Sequence, residues 1–409
     1  MGSKLRSKQP VVYIFYVDIF ITFPFACRFI RIVEFVAVAA VAAHYYSTKV
    51  PPQKIEMPPQ KWILDSHGGP EGLHLVEFEM PEPTSRQILI KVLASTATYT
   101  DQLIMRGTYM PSPPLPLTPG YDAVGEIVSM GSEVPEPEFS VGDRVVVMPQ
   151  AHCMATHLVL EYTAVIKVPS NQLPTEQVVC IRTGVTAWQM LHRCCESRMK
   201  DPKNVTVLIH GAAGATGSVL LSIALTAGVP AKNIFATAKT SNLNILNAFR
   251  VRAAIDYTTE DWSARVLKET DGLGVDLVFD AVCLQGYYEK GMACLKAGGK
   301  YVSYGFTQEP ASAGTLPIPS VLAFFIKQWW QQNINSWVSG REAEFYLIAS
   351  RRDAQPDEFK EDLLKVLELV GKSALVLPGG RTWRFPQCKE ALQCVAENTH
   401  VGVQIIRFD

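Results

Sequence analysis

The chain has 409 residues, is 48% apolar and 19% charged, and sets 38 Lys+Arg against 39 Asp+Glu. Such apolar content excludes a disordered chain, and the balanced charge excludes a global electrostatic pull toward nucleic acid. Nine cysteines, odd in number and without a CxxC, exclude a disulfide framework and point to a reducing compartment, the cytoplasm.

The first 56 residues differ from the rest. They hold seven Lys+Arg and three Asp+Glu, a net of +4, which leaves −5 on the remaining 353. Two apolar runs lie here, 11–27 and 35–46, with Lys4, Arg6 and Lys8 ahead of the first. The first run contains Asp18 and Pro24 and falls short of the ~20 residues that span a bilayer. A membrane anchor through residues 11–46 with its basic end in the cytosol, a cleaved signal peptide and a dispensable extension all compete. Met57, just ahead of the first globular strand, could itself be an initiator. A myristoylation signal fails because position 6 is Arg6. Four prolines in 48–60 make a linker.

Residues 61–170 predict short strands split by Gly and Pro: Lys61–Leu64, Leu73–Glu79, Gln87–Ala94, Ala123–Met130 and Arg144–Met148. A helix is expected over Gln177–Met199, with Cys194–Cys195 as buried free thiols. Strands and helices then alternate, which predicts a parallel sheet covered on both faces. In the tail a helix is expected at Asp357–Val370 and strands at Ala374–Leu377 and Val401–Phe408.

One motif carries chemistry. Strand Thr206–His210 runs into Gly211, Ala212, Ala213, Gly214, Ala215, Thr216 and Gly217, then into an apolar helix. Three glycines at this spacing make a tight turn, admit a pyrophosphate to the backbone and let the helix pack on the strand. The free N–H groups of the helix start would hold the phosphates. An NAD site would add an acid about 20 residues on to bind the ribose 2′-hydroxyl. No Asp or Glu occurs from Gly211 to Ile255, and the second strand runs out in Lys239, Thr240 and Ser241. A cation and hydroxyls suit a 2′-phosphate, so the expected cofactor is NADP(H). Arg250 and Arg252 add positive charge in unknown directions.

The motifs HGGPEGLHLVE, TATYTDQLIMRGTY, PLTPGYDAVGEIVSMGSEV, VGDRVVVM, TGVTAWQML, HGAAGATG, IDYTTEDW, GVDLVFDAV and LKAGGKYVSYGF occur in one order. With them the chain resembles the medium-chain dehydrogenase/reductase superfamily over residues ~60–409, and most of all its zinc-independent quinone oxidoreductase, or zeta-crystallin-like, branch. The resemblance implies an α/β architecture: a GroES-like β-barrel catalytic domain plus a Rossmann doubly wound parallel sheet. The expected parts are an extension (1–56), the first part of the catalytic domain (57–178), the NADP(H)-binding domain (179–325) and a closing tail (326–409). Thr98 and Tyr121 stand where zinc relatives carry Cys and His, and the structural-zinc lobe is missing. His152, Cys153 and His157 match no familiar metal site and read as a loop and strand edge. No metal is expected. Where the family usually has Gly, Arg250 must end its helix without the easy left-handed cap. The aromatic stretch Pro317–Trp337 reads as packing or a dimer interface, and a homodimer is the family expectation.

Without a Lewis acid, hydride transfer suits an already activated acceptor, a quinone or an α,β-unsaturated carbonyl. Charge collects on the acceptor oxygen, and a donor must meet it. Candidate donors are Tyr99, Tyr109 and Thr98, with Tyr121 behind them, while Asp101 holds the local backbone. The resemblance places Thr186 near the nicotinamide and Tyr257 near the adenine phosphate end. The reading is an NADPH-dependent reductase of quinones or enones. Alternatives are an enoyl reductase of a small-molecule biosynthetic pathway and a membrane-associated NADPH-binding protein with little turnover.

Overall fold

A computed structural model describes residues 58–305 and 339–408, except positions 110, 285, 378 and 398–400, and a few positions between 326 and 333. The apolar runs of the head lie outside the described residues, as does most of Pro317–Trp337. Of its described members, Ile326, Trp329 and Trp330 are exposed in the single chain.

An entry hairpin pairs β1 (Gln60–Ile63) with β2 (His74–Glu77). The first sheet is then built on β3 (Gln87–Ala97), whose side chains are buried on nearly every position. It pairs antiparallel with β4 (Ala123–Met130), with β6 (His157–Glu161) and with the last strand of the chain, β15 (Val403–Arg407). Register shifts between β3 and β4 bend this sheet toward a barrel. β5 (Arg144–Val147) and β7 (Val165–Lys167) extend one side, and β14 (Gly379–Arg384) the other. The C-terminal strands thus complete a domain that the N-terminal half begins.

The second sheet is parallel throughout. β8 (Val207–His210), β9 (Ile234–Ala238), β10 (Ala253–Asp256), β11 (Val275–Asp280), β12 (Leu295–Ser303) and β13 (Glu342–Phe345) lie in the order β10-β9-β8-β11-β12-β13. That is the 3-2-1-4-5-6 order of a dinucleotide-binding fold. Its central strands β8 and β9 are buried at every position, so they read as near-continuous apolar runs rather than alternating ones. β13 lies beyond residue 325, where the sheet was expected to end.

α1 (Tyr99–Met105) follows β3, and α2 (Thr175–Val179) and α3 (Ile181–His192) lead from β7 to β8. The expected helix Gln177–Met199 is therefore two helices, broken at Cys180, and it stops at His192. The sheet's own helices are α4 (Ala215–Thr226), α5 (Leu243–Ala248), α6 (Trp262–Glu269) and α7 (Tyr287–Ala293). In the tail come α8 (Ile348–Ala354), α9 (Pro356–Gly371) and α10 (Cys388–Ala396). No strand forms at Ala374–Leu377. The Gln177 side-chain amide supplies what a strand partner would: its Nε2 donates to the Leu377 carbonyl at 3.1 Å, and its Oε1 accepts from the Leu377 amide at 2.7 Å.

Candidate active site

The sheet order reverses between β8 and β11, and their carboxyl ends leave the crevice where such folds bind ligands. The glycine turn fills that position. Gly211 takes φ 63°, and a Cβ there would lie 3.3 Å from the Ala281 Cβ on the loop after β11. Gly217 has no room at all: a Cβ would sit 2.3 Å from the Gly211 carbonyl oxygen, so only glycine lets α4 close on the turn. Ala212 and Ala213 are buried beneath the turn. Gly214 caps α4 and is exposed, and Ala215 and Thr216 form its half-buried first turn. The outer face is therefore backbone, which is the surface a pyrophosphate needs.

Lys239 directly follows β9, half-buried, and forms no ion pair among the described residues. Ser241 is exposed two residues on, and the Tyr257 amide donates to the Ala238 carbonyl at 3.3 Å. Lys239, Ser241 and Tyr257 therefore share one end of the sheet. Two corrections follow from topology. Arg252 precedes β10, and its amide donates to the Ala231 and Ile234 carbonyls. It therefore lies at the amino ends of the strands, with its guanidinium paired to Glu269, and Arg250 is beside it. Neither arginine serves the carboxyl-end crevice. Conversely, the chain from Gly211 to Ile255 lacks acids, but the neighbouring strand brings Asp256 alongside Ala238. Hydroxyl donors from Thr240 and Thr258 hold its carboxyl below the usual range. The acid near Lys239 is thus occupied by threonines.

Thr186, on α3, lies within hydrogen-bond reach of the Tyr346 hydroxyl, which donates to Gln189 Oε1 at 2.8 Å. Its place is in the packing between α3 and the end of β13.

The polar cluster of the first domain centres on α1. Thr98 caps this helix: Asp101 Oδ2 accepts from the Thr98 amide at 2.8 Å and from its hydroxyl at 2.7 Å. Asp101 Oδ1 accepts from the Gly120 amide at 3.1 Å. This fully buried carboxyl ties α1 to the loop before β4, the backbone role the sequence suggested. Thr98 also accepts from Arg182 Nη2 at 2.8 Å. Its single proton is committed to Asp101, so Thr98 does not meet an acceptor oxygen, contrary to the expectation. Tyr99 is 44% exposed, and partial burial raises its phenol. Tyr109 is 8% exposed and Tyr121 1%; their hydroxyls lie 3.3 Å apart. Burial pushes both phenols up, Tyr121 the further.

Sequence reading missed the residue that joins this cluster. Arg182, at the start of α3, pairs with Asp122, donates to Thr98 and Thr100, and lies over the Tyr121 ring. It immediately precedes the TGVTAWQML segment, and nothing in its spacing tells it from a surface arginine. Arg352, on α8, bonds the Met148 carbonyl and adds a second positive charge near the tyrosines.

A zinc ion does not fit these residues. Thr98 and Tyr121 offer hydroxyls where thiolate and imidazole would be needed, and both are spent on other partners. His157 opens β6, with its Nδ1 3.2 Å from the Thr156 hydroxyl. Among the described residues no three His, Cys, Asp or Glu side chains gather as ligands.

A Rossmann sheet inserted in a GroES-like barrel, with a glycine turn at its switch point, defines a medium-chain dehydrogenase/reductase. Residues 84–169 match the alcohol dehydrogenase GroES-like domain, and residues 251–406 match the zinc-binding dehydrogenase family. A probable quinone oxidoreductase of Schizosaccharomyces pombe is 30% identical over 59% of this chain and 70% of its own. The mouse synaptic vesicle membrane protein VAT-1 homolog-like is 26% identical over 84% of this chain and 80% of its own. The Escherichia coli quinone oxidoreductase, solved in complex with NADPH, shares the fold at a TM-score of 0.68 and 20% identity, over 85% of this chain and all of that one. The chain belongs to the zinc-independent, quinone oxidoreductase branch of the medium-chain oxidoreductases.

Proposed function

We propose that the chain is an NADPH-dependent reductase of quinones or α,β-unsaturated carbonyls. The observation that carries this reading is the buried Tyr109–Tyr121 hydroxyl pair, whose Tyr121 stands where the resemblance puts the His of zinc relatives. The Gly211–Gly217 turn would hold the pyrophosphate, and Lys239 with Ser241 the 2′-phosphate. Bound there, the dinucleotide would supply hydride. Tyr109 then donates a hydrogen bond to the acceptor oxygen as charge collects on it, and Tyr99 lines the rim. Asp101 fixes the Thr98–Tyr99 backbone that carries this rim.

The test follows NADPH absorbance with a panel of benzoquinones and enones. Turnover with NADPH is expected to exceed that with NADH at least ~10-fold, and Lys239→Glu is expected to erase that preference. Tight NADPH binding with no turnover on any acceptor would overturn the reductase and favour a binding protein. Equal rates with NADH would overturn the role of Lys239. Membrane contact through residues 11–46 and a homodimer belong to the same proposal. Vesicle flotation of the full chain against one starting at Met57, and sedimentation of both, test them. No helix among the described residues is long and apolar enough to cross a membrane.

A further inference from the structure

Arg182 has 12% of its side chain exposed, and its contacts use both edge and face. Along the edge, Nε donates to Asp122 Oδ2 at 2.5 Å, Nη1 to Thr100 at 3.2 Å and Nη2 to Thr98 at 2.8 Å. Asp122 is itself held by the Thr96 hydroxyl, so the fork cannot swing. The guanidinium carbon lies 4.6 Å from the centroid of the Tyr121 ring. A cation on that face draws on the ring's π electrons and makes the phenol a stronger donor. The one hydroxyl partner of Tyr121 among the described residues is Tyr109. Two hydroxyls can share only one hydrogen bond, and its direction decides which of them keeps a free proton.

We propose that Arg182 is a positioning residue that orients the tyrosine pair, so that Tyr121 donates to Tyr109 and Tyr109 presents its own proton to the acceptor oxygen. This inference rests on Tyr109 being the donor in the reductase proposed above. The other charges near the pair are Arg352 and Asp353 of α8. Neither of them lies over the Tyr121 ring among the described contacts.

The test compares the wild type with Arg182→Met/Asp122→Asn, which removes both members of the ion pair together, while Asp101 keeps its hydrogen bonds from Thr98 and Gly120. Tyr109→Phe and the triple variant complete the cycle. With NADPH and a benzoquinone, Arg182→Met/Asp122→Asn is expected to lower kcat ~30-fold at unchanged KM for NADPH. In the Tyr109→Phe background the same change is expected to cost less than ~3-fold, because the group it acts through is gone. Losses that multiply in full would overturn the proposal and leave Arg182 a structural residue. A second readout needs no turnover: alkaline titration of phenol absorbance in the cofactor-free protein. The component lost in Tyr109→Phe is expected to move to higher pH in Arg182→Met/Asp122→Asn, and an unmoved component would overturn the proposal. Should the wild type turn over no acceptor, the reductase reading fails, and this titration still decides the role of Arg182.

Discussion

His210 shows what a single residue next to the glycine turn does to the whole protein. It ends β8, fully buried, edge-on to Trp262 and Tyr287, with Nδ1 3.2 Å from the Thr237 hydroxyl. Burial pushes its imidazole down to about 4, and Asp280 offsets only part of that. The unfolded chain therefore binds a proton near pH 6.5 that the folded chain refuses until about 4. Stability is complete above the unfolded value and falls as pH drops through this window. Burial lowers His152 and His192 in the same direction. Urea unfolding at pH 5 against pH 7.5 is expected to show a loss of about 2 kcal/mol from His210 alone. His210→Gln is expected to flatten the slope by that amount, and an unchanged slope would place the titration elsewhere. At this scale the glycines were legible, because steric need leaves a spacing in the sequence. Thr98 was misread and Arg182 missed, because the partner that takes a hydroxyl's proton or pairs a guanidinium comes from another element.

At the scale of elements, chemistry that is local was legible and chemistry supplied by a distant side chain was not. The strand expected at Thr206–His210 forms over Val207–His210, and the strand–helix alternation after it is present, since buried parallel strands are apolar runs. Ala374–Leu377 is also apolar, yet the Leu369 carbonyl takes the Ala374 and Leu375 amides, Gln177, from two hundred residues earlier, satisfies both backbone groups of Leu377, and no ladder forms. Arg250 is the sharper case. It takes φ 53° just past the end of α5, so it adopts the left-handed cap itself rather than ending the helix without one. An L residue there costs about 1–2 kcal/mol, and glycine returns part of this as unfolded-state entropy. Arg250→Gly is therefore expected to stabilise the chain by roughly 0.5–1 kcal/mol. Thermal unfolding reads it as a rise of a degree or two in Tm. A fall would mean that the Arg250 side chain makes contacts worth more than its backbone strain.

For the body as a whole, residues 58–408, the question is how a tail read last in sequence is held to a domain read second. The total charge hides the answer, because the decisive groups are few and buried. Asp362 of α9 is 2% exposed and accepts from three side chains of α3 and its C-terminal cap: Trp188 Nε1 at 3.0 Å, Gln189 Nε2 at 2.8 Å and Arg193 Nη2 at 2.8 Å. Gln189 in turn accepts from Tyr346 after β13, so one chain of bonds runs from the tail helix through α3 to the edge of the parallel sheet. α3 is also the helix that carries Arg182 to the tyrosine pair. Fold class followed from motif order along the chain, but this clamp did not, since an Asp on an amphipathic helix reads as a solvent face. Asp362→Ala would leave the indole and amide donors unpaired in the interior, a cost of about 3 kcal/mol. Urea unfolding measures that loss. Hydrogen exchange measures its location: protection is expected to fall in α9 and α3 and to hold in β3 and β4. Uniform deprotection of both sheets would instead mean that Asp362 serves the fold at large rather than the attachment of the tail.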